Sequence, residues 1–391
     1  MIGAFLALSL ASSPAMAGSI LSDAQGDDEG DPPVLPALGP VAPGPLPARP
    51  SDIDAAAMLK VPLDLFVTAR KGCQLLFARR YREAKTVFDD ISARYPTTGV
   101  GPLGVAILYQ ALMFENFDWK YDAQFRNASA MARAQLEQGL SESGGETMKE
   151  FVLAAIGGID AVHSLRKGDY LQALGSALVA IRALDQTEEQ APGLYDAKIG
   201  DGMYLYWRSV VTASSSFLPD FPDRRADGIR ALMQAESGGV LLGPGASLVM
   251  SYSYIEERDW PAALAEVDKN ASVYPDCIVN ALTRGRILTA MGRYPDAIAV
   301  YDHVIAQQAQ NERVYYFRGI VQNRQGNVAD AITDWTTYLA YPSPPPEYKG
   351  QTWFRLGLAR TSTGDTEGAR AAFTEGAKLD NGPSKKALET P

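Results

Sequence analysis

The sequence predicts an all-α protein built as a solenoid of helix hairpins behind a disordered N-terminal segment, and three observations carry that prediction. A skeleton of glycine, glycine, alanine and aromatic recurs at an offset of 34 residues. GRYPDAIAVYDHVI, residues 292 to 305, reads as a loop followed by an amphipathic helix and is one instance of that skeleton. A chain of 391 residues would need two or three ordinary domains if each built its own core, a limit that a repeat array escapes.

Residues 1–17, MIGAFLALSLASSPAMA, run apolar from Ile2 to Ala11 and close on Ala15-Met16-Ala17, the small-x-small pattern of a signal-peptidase site. The run is too short to span a membrane, and no positively charged residue precedes it. Cleavage after Ala17 and a periplasmic or secreted location are the expectation. Gly18 rather than Cys directly follows that cut, so no bacterial lipid anchor is expected. Residues 18–54 form a linker rich in Pro, Ala and Gly, with an acidic cluster at Asp27, Asp28, Glu29 and Asp31. Such a segment buries too little apolar surface to offset its ordering entropy and is expected to be an extended, disordered tether. Asp52 or Asp54 is the expected cap of a first helix near Ala55.

Between 55 and 243 the repeat pattern is degenerate. KGDYLQALGSALVAI (167 to 181) keeps the order glycine, aromatic, alanine, while 101 to 114 and 117 to 140 read as a hairpin of longer helices. The pattern is clear over 244–379. Gly285, Gly292, Ala297 and Tyr301 align with Gly319, Gly326, Ala331 and Trp335, and with Gly357, Gly364, Ala369 and Phe373 after an insertion around PSPPPE. Weaker copies are Ser251, Ala263 and Pro275, and, near the N-terminus, Gly72, Ala84, Phe88 and Pro96. The first Gly and the central Ala suit a close helix crossing. The second Gly suits the left-handed residue that ends a helix, and the large aromatic is expected to fill the gap against the next hairpin. Residues 380–391 read as a frayed polar tail.

These residues resemble the tetratricopeptide repeat family, whose 34-residue hairpins carry small residues and aromatics in this order. The resemblance implies a right-handed superhelix and a role in protein–protein interaction. The block from Tyr195 to Leu232 is weakly similar to the tetratricopeptide repeat protein 39 and inclusion-body clearance proteins, which would imply a role near lipid. The plainer reading is that Tyr204, Tyr206, Trp207, Phe217 and Phe221 form the aromatic core of an irregular hairpin.

Catalytic signals are thin. GVGPLG (99 to 104) follows a helix rather than a strand and contains Pro102, and GGVLLGPG (238 to 245) lacks the Lys-Ser/Thr pair of a phosphate loop. His163 and His303 stand in no metal spacing, and Cys73 and Cys277 lie far apart, so no metal, cofactor or disulfide is implied. Asp89, Asp90, Glu256 and Glu257 read as solvated faces, since adjacent helical residues point about 100° apart. A net charge of −10 gives no basic footprint for nucleic acid.

What remains is binding. In tetratricopeptide arrays the first helix of each hairpin lines a concave groove. Carried over by position, the resemblance implies a partner-binding set of Tyr252, Arg286, Arg313, Tyr316, Asn323, Gln351 and Phe354. The Lys/Asn set that clamps a chaperone tail is absent. The expectation is a non-enzymatic scaffold of the bacterial cell envelope that holds a peptide or protein in this groove. The alternative is a lipid or small-ligand carrier using the aromatic middle block. Exposed repeat edges would also allow self-association.

Overall fold

The computed structural model describes residues 35–116, 118–139, 146–167, 169–213, 222–308, 311–341 and 346–389. The signal segment 1–17, the linker as far as residue 34, and Phe217 and Phe221 lie outside them. The described residues form eighteen helices and no strand. They fall into two compact units, one containing 29–112 and 121–277, the other 113–120 and 278–391.

In the first unit α1 (Asp52–Leu59), α2 (Leu63–Phe77) and α3 (Tyr81–Arg94) are followed by α4 (Val100–Asn116), whose last turn belongs to the second unit. Then come α5 (Asp122–Gly139), α6 (Glu146–Arg166), α7 (Tyr170–Gln190), α8 (Lys198–Ala213), α9 (Arg225–Gly238), α10 (Gly243–Glu256) and α11 (Trp260–Val273). The pairs α2/α3, α6/α7, α8/α9 and α10/α11 pack as hairpins. In the second unit α12 (Ile278–Ala290) pairs with α13 (Tyr294–Gln307), α14 (Glu312–Arg324) with α15 (Val328–Ala340), and α16 (Pro346–Ser362) with α17 (Thr366–Lys378). Helix α18 (Gly382–Glu389) packs on α17, so most of the tail expected to fray is helical.

The recurring residues have distinct jobs. Gly292, Gly326 and Gly364 sit at φ of 71°, 89° and 81°, the left-handed conformation expected of them. Arg79 and Arg258 occupy the same register in the weaker copies and hold φ of 62° and 56°. The next residue often caps the following helix: Asp259 accepts from the Ala262 N–H at 3.1 Å and Asp365 from that of Gly368 at 2.9 Å.

The large aromatic first meets the leading glycine of its own hairpin, sixteen residues earlier, rather than only filling a gap against the next one. A Cβ at Gly72 would stand 2.6 Å from the Phe88 ring, at Gly285 2.5 Å from that of Tyr301, and at Gly319 2.5 Å from that of Trp335. Gly357 meets Phe373 in the same way. Phe88 is also covered by Gly104 on α4, so the glycines of GVGPLG serve helix packing.

Two sequence expectations need correction at the N-terminal edge. Ser51, not an aspartate, caps α1: its Oγ accepts from the Asp54 N–H at 3.2 Å, and the helix starts at Asp52. The described part of the linker, 35–51, is extended but fastened to the first unit. Arg225 Nη2 donates to the Pro36 carbonyl at 2.8 Å, the Leu38 N–H to Glu257 Oε2 at 3.1 Å, and Ser237 Oγ to the Pro47 carbonyl at 2.9 Å. Glu257 is therefore no solvated carboxylate: it is buried against Arg225 at 2.8 Å. Asp89 and Asp90 are exposed as expected, paired with Lys85 and Arg94.

Candidate functional site

The seven groove positions do not form one open surface. Tyr252 lies in the first unit on α10, a helix buried on nearly every face, and is only 1% exposed. The other six belong to the second unit. Tyr316 is also 1% exposed, packed against Phe317, Tyr338 and Tyr348 with ring centroids 5.3, 5.4 and 5.6 Å away. Gln351 is buried too, and its Oε1 meets no donor among the described residues. Tyr252, Tyr316 and Gln351 thus pack the interior instead of facing a partner. The reason is that α10 and α14 are enclosed by their neighbours where a shallower array would leave the first helix bare.

Arg286, Arg313, Asn323 and Phe354 are half-buried and keep surface. The guanidinium carbons of Arg286 and Arg313 stand 5.7 and 5.6 Å from the Phe317 ring centroid, so two cations lie beside one aromatic ring. Arg313 Nη1 also donates to the Phe114 carbonyl at 2.9 Å, and Asn311 Nδ2 donates to that of Glu115 at 3.1 Å. The last turn of α4 therefore occupies part of this face. Beside it Glu312 is buried, and burial, then the nearby Asp118 charge, pushes its carboxyl up to about 7. Leu358, four residues after Phe354 on α16, is 40% exposed, though it is not among the seven.

The first unit holds a different feature, a cavity of about 450 Å³. Its walls are apolar side chains of α1, α2 and α4 with a face of α6, including Ala154, Ala155, Gly158 and Ala161. Leu174, Ala177, Leu178 and Ile181 of α7 and Met203, Tyr204 and Trp207 of α8 complete them. The aromatic block therefore divides its work. Tyr206 is core, its hydroxyl placed between Glu257 Oε1 and the Ser253 carbonyl at 2.7 and 2.9 Å, whereas Tyr204 and Trp207 line the cavity. Leu174 and Leu178, 58% and 57% exposed, put its mouth along α7. The signal for that mouth, leucines at helical spacing on a degenerate repeat, was present in the sequence and read only as helix.

Polar groups on this lining are few. Asp196 accepts the N–H groups of Val240, Leu241 and Leu242 at 2.7 to 2.8 Å, so the glycine-flanked connector 238 to 245 wraps the chain's own carboxylate. Burial raises that carboxyl, and the three N–H groups oppose the rise. Burial pushes the Cys73 thiol up to about 11, and neither Cys73 nor Cys277 forms a disulfide. Arg208 lies with its guanidinium 5.1 Å from the Tyr204 ring centroid.

His163 is buried, stacked on Phe125 and 2.7 Å from Asp122, and burial lowers it to about 4. The described residues contain no group of three or more His, Cys, Asp and Glu suited to a metal, and no helix long and apolar enough to cross a membrane.

Comparison with known proteins places the repeats. Residues 282–345 match the family model described as Tetratricopeptide repeat. No curated protein matches. Among solved structures the chain is similar to one described as human IFIT1 dimer with PPP-AAAA, at 11% identity and a TM-score of 0.44, covering 88% of this chain and 85% of that one. It is also similar to the P58(IPK) TPR domain, at 13% identity and a TM-score of 0.25, covering 83% of this chain and 96% of that one. None of these matches bears on the likeness of the middle block to tetratricopeptide repeat protein 39. The leading glycines under aromatic rings, the left-handed turns and the match over 282–345 agree: the chain carries tetratricopeptide repeats.

Proposed function

We propose that the chain is a non-enzymatic scaffold of the bacterial cell envelope, periplasmic or secreted, whose second unit holds a peptide or protein partner. Tetratricopeptide repeats generally mediate protein–protein interaction. The observation that carries the reading here is the half-exposed row of Arg286, Arg313, Asn323 and Phe354, with two guanidinium groups set on Phe317. Arg and aromatic side chains with backbone-binding amides are the usual anchors for an extended peptide, and the paired cations favour one carrying carboxylates.

The test is in-cell photo-crosslinking from Arg286 and Phe354, with exposed Ala299 on α13 as the control. A discrete protein adduct at the first two positions and none at Ala299 supports the reading. Equal labelling, or none at all three, overturns it. Sequencing the N-terminus of the exported protein tests the location, with Gly18 expected as the first residue.

The cavity of the first unit favours a second reading, the binding of an apolar small ligand, because its volume lies in the range of about 300–1,000 Å³ typical of ligand pockets.

A further inference from the structure

We propose that the cavity of the first unit takes a linear alkyl chain and selects it by length, with the head group left at the mouth in solvent and its charge indifferent to binding. The inference rests on the second reading and names the ligand class.

The repeat register explains why there is a cavity. In the regular hairpins an aromatic ring covers the leading glycine. Setting Gly168 against Gly292 puts Ala177 at the aromatic position and Ala161 at the leading glycine of α6/α7. Both are alanine, and both line the cavity. Where interiors ordinarily close-pack, the missing ring leaves a space of about 450 Å³. The apolar surface does not stop at the mouth. Leu171, 85% exposed, stands on the same face of α7 as Leu174 and Leu178, at the i, i+3, i+7 spacing. From Leu171 to Leu178 this stripe runs about 10 Å along the helix. A compact ring system would fill the volume and leave the stripe bare, whereas an extended chain covers both.

The polar groups of the lining are turned to the chain itself. Asp196 commits both oxygens to the N–H groups of Val240, Leu241 and Leu242. The Arg208 guanidinium lies over the Tyr204 ring, and Thr212 Oγ1 donates to the Arg208 carbonyl at 2.8 Å. The Trp207 indole nitrogen has no accessible surface, so that ring meets the cavity with carbon. Burial keeps the Cys73 thiol protonated and neutral. A head group drawn inside would give up water without a partner to replace it, which is costly for a neutral group and more so for a charged one. Binding free energy therefore comes from methylenes moved out of water, and it grows with their number.

The experiment titrates the full chain calorimetrically with alkyl ligands, each below its critical micelle concentration and at physiological salt. Octanoate, decanoate and dodecanoate vary the tail; dodecyltrimethylammonium and dodecyl maltoside vary the head at constant tail. One ligand should bind per chain, with affinity rising about fourfold per added methylene. The anionic, cationic and neutral dodecyl ligands should agree within about threefold. Ala177→Phe restores the ring of the regular repeat and should abolish binding of all five. Leu178→Ser, at an exposed position, spares the core; it should leave the far-UV circular dichroism unchanged and weaken the dodecyl ligands about threefold or more. Native mass spectrometry after incubation with phosphatidylcholine vesicles containing oleate reads the source of the chain: an adduct with the mass of a fatty acid or of a phospholipid supports the inference, and an absent adduct opposes it. Affinities that differ about tenfold or more at constant tail, or that do not rise with tail length, would overturn the alkyl-chain assignment and leave apolar binding standing. Binding of none of the ligands, or binding untouched by both substitutions, would remove the second reading as well.

Discussion

Gly319→Ala tests whether the leading glycine is a packing requirement or a helix-weakening accident. On propensity alone the change should stabilise α14 by about 1 kcal/mol, because glycine is the poorest helix former after proline. The structure reverses the sign. The new Cβ would stand 2.5 Å from Trp335 Nε1 and 2.7 Å from its Cδ1, closer than atoms in contact can lie. Trp335 is 1% exposed, and its N–H donates to the Tyr316 carbonyl at 3.3 Å, so the ring cannot retreat without losing that bond. Overpacking of this kind costs about 1–3 kcal/mol, and the strained hydrogen bond about 1 kcal/mol more. Net of propensity, the expected loss is about 1–3 kcal/mol. Gly175 on α7 supplies the matched control, since a Cβ there would meet nothing within 4 Å and Gly175→Ala should stabilise by up to about 1 kcal/mol. Urea denaturation of the full chain followed by far-UV circular dichroism reads both. Midpoints displaced in the same direction by the two substitutions would refute the argument, whereas recovery of Gly319→Ala by Trp335→Leu would localise the clash.

Other consequences follow from the same geometry. Arg79→Gly and Arg258→Gly relieve left-handed backbone at φ of 62° and 56° and should each raise stability by up to about 1 kcal/mol in the same denaturation assay. Arg225→Met leaves Glu257 buried beside a hydrocarbon and should cost about 3–5 kcal/mol, with faster proteolysis within 35–51; joint replacement of Arg225 and Glu257 by Met should recover much of the loss. Glu312 titrates near 7 in the fold against an ordinary 4.5, so the folded state keeps a proton that the unfolded chain releases. Its contribution is whole below about pH 4.5 and is lost as pH rises through about 7. Thermal melts should therefore show wild type losing more stability between pH 6 and pH 8 than Glu312→Gln.

The helices and turns of the second unit were legible because each repeated residue type has one local cause. A glycine at positive φ and an alanine at a crossing leave marks that recur at offsets of 34 and 38 residues. The groove was less legible. Tyr316 and Gln351 occupy the same repeat register as exposed ligand contacts would, and only the packing of Tyr338 and Tyr348 onto Tyr316 decides their burial. The ends of α4 and the linker escaped for a related reason. Phe114 donates no side-chain signal to its bond with Arg313, because the bond is made by its carbonyl, and the proline-rich 35–51 is held by Arg225 and Ser237 from far along the chain. The cavity was half legible, as Ala177 in the aromatic register shows once the space beside it is known.

A common feature runs through both units: polar sites that a partner might have used are filled by the chain itself. Three N–H groups of the connector 240 to 242 would bind an external anion, but Asp196 is their acceptor. Arg225, buried on α9, would hold a carboxylate, and Glu257 and the Pro36 carbonyl take its donors. In the second unit the Phe114 and Glu115 carbonyls occupy Arg313 and Asn311. Such internal pairing satisfies buried groups that would otherwise destabilise the fold. It also narrows recognition to what lies outside it. On the proposed function of the second unit, Arg286→Glu should impair partner capture, whereas Tyr316→Phe, inside the packed cluster, should leave capture intact.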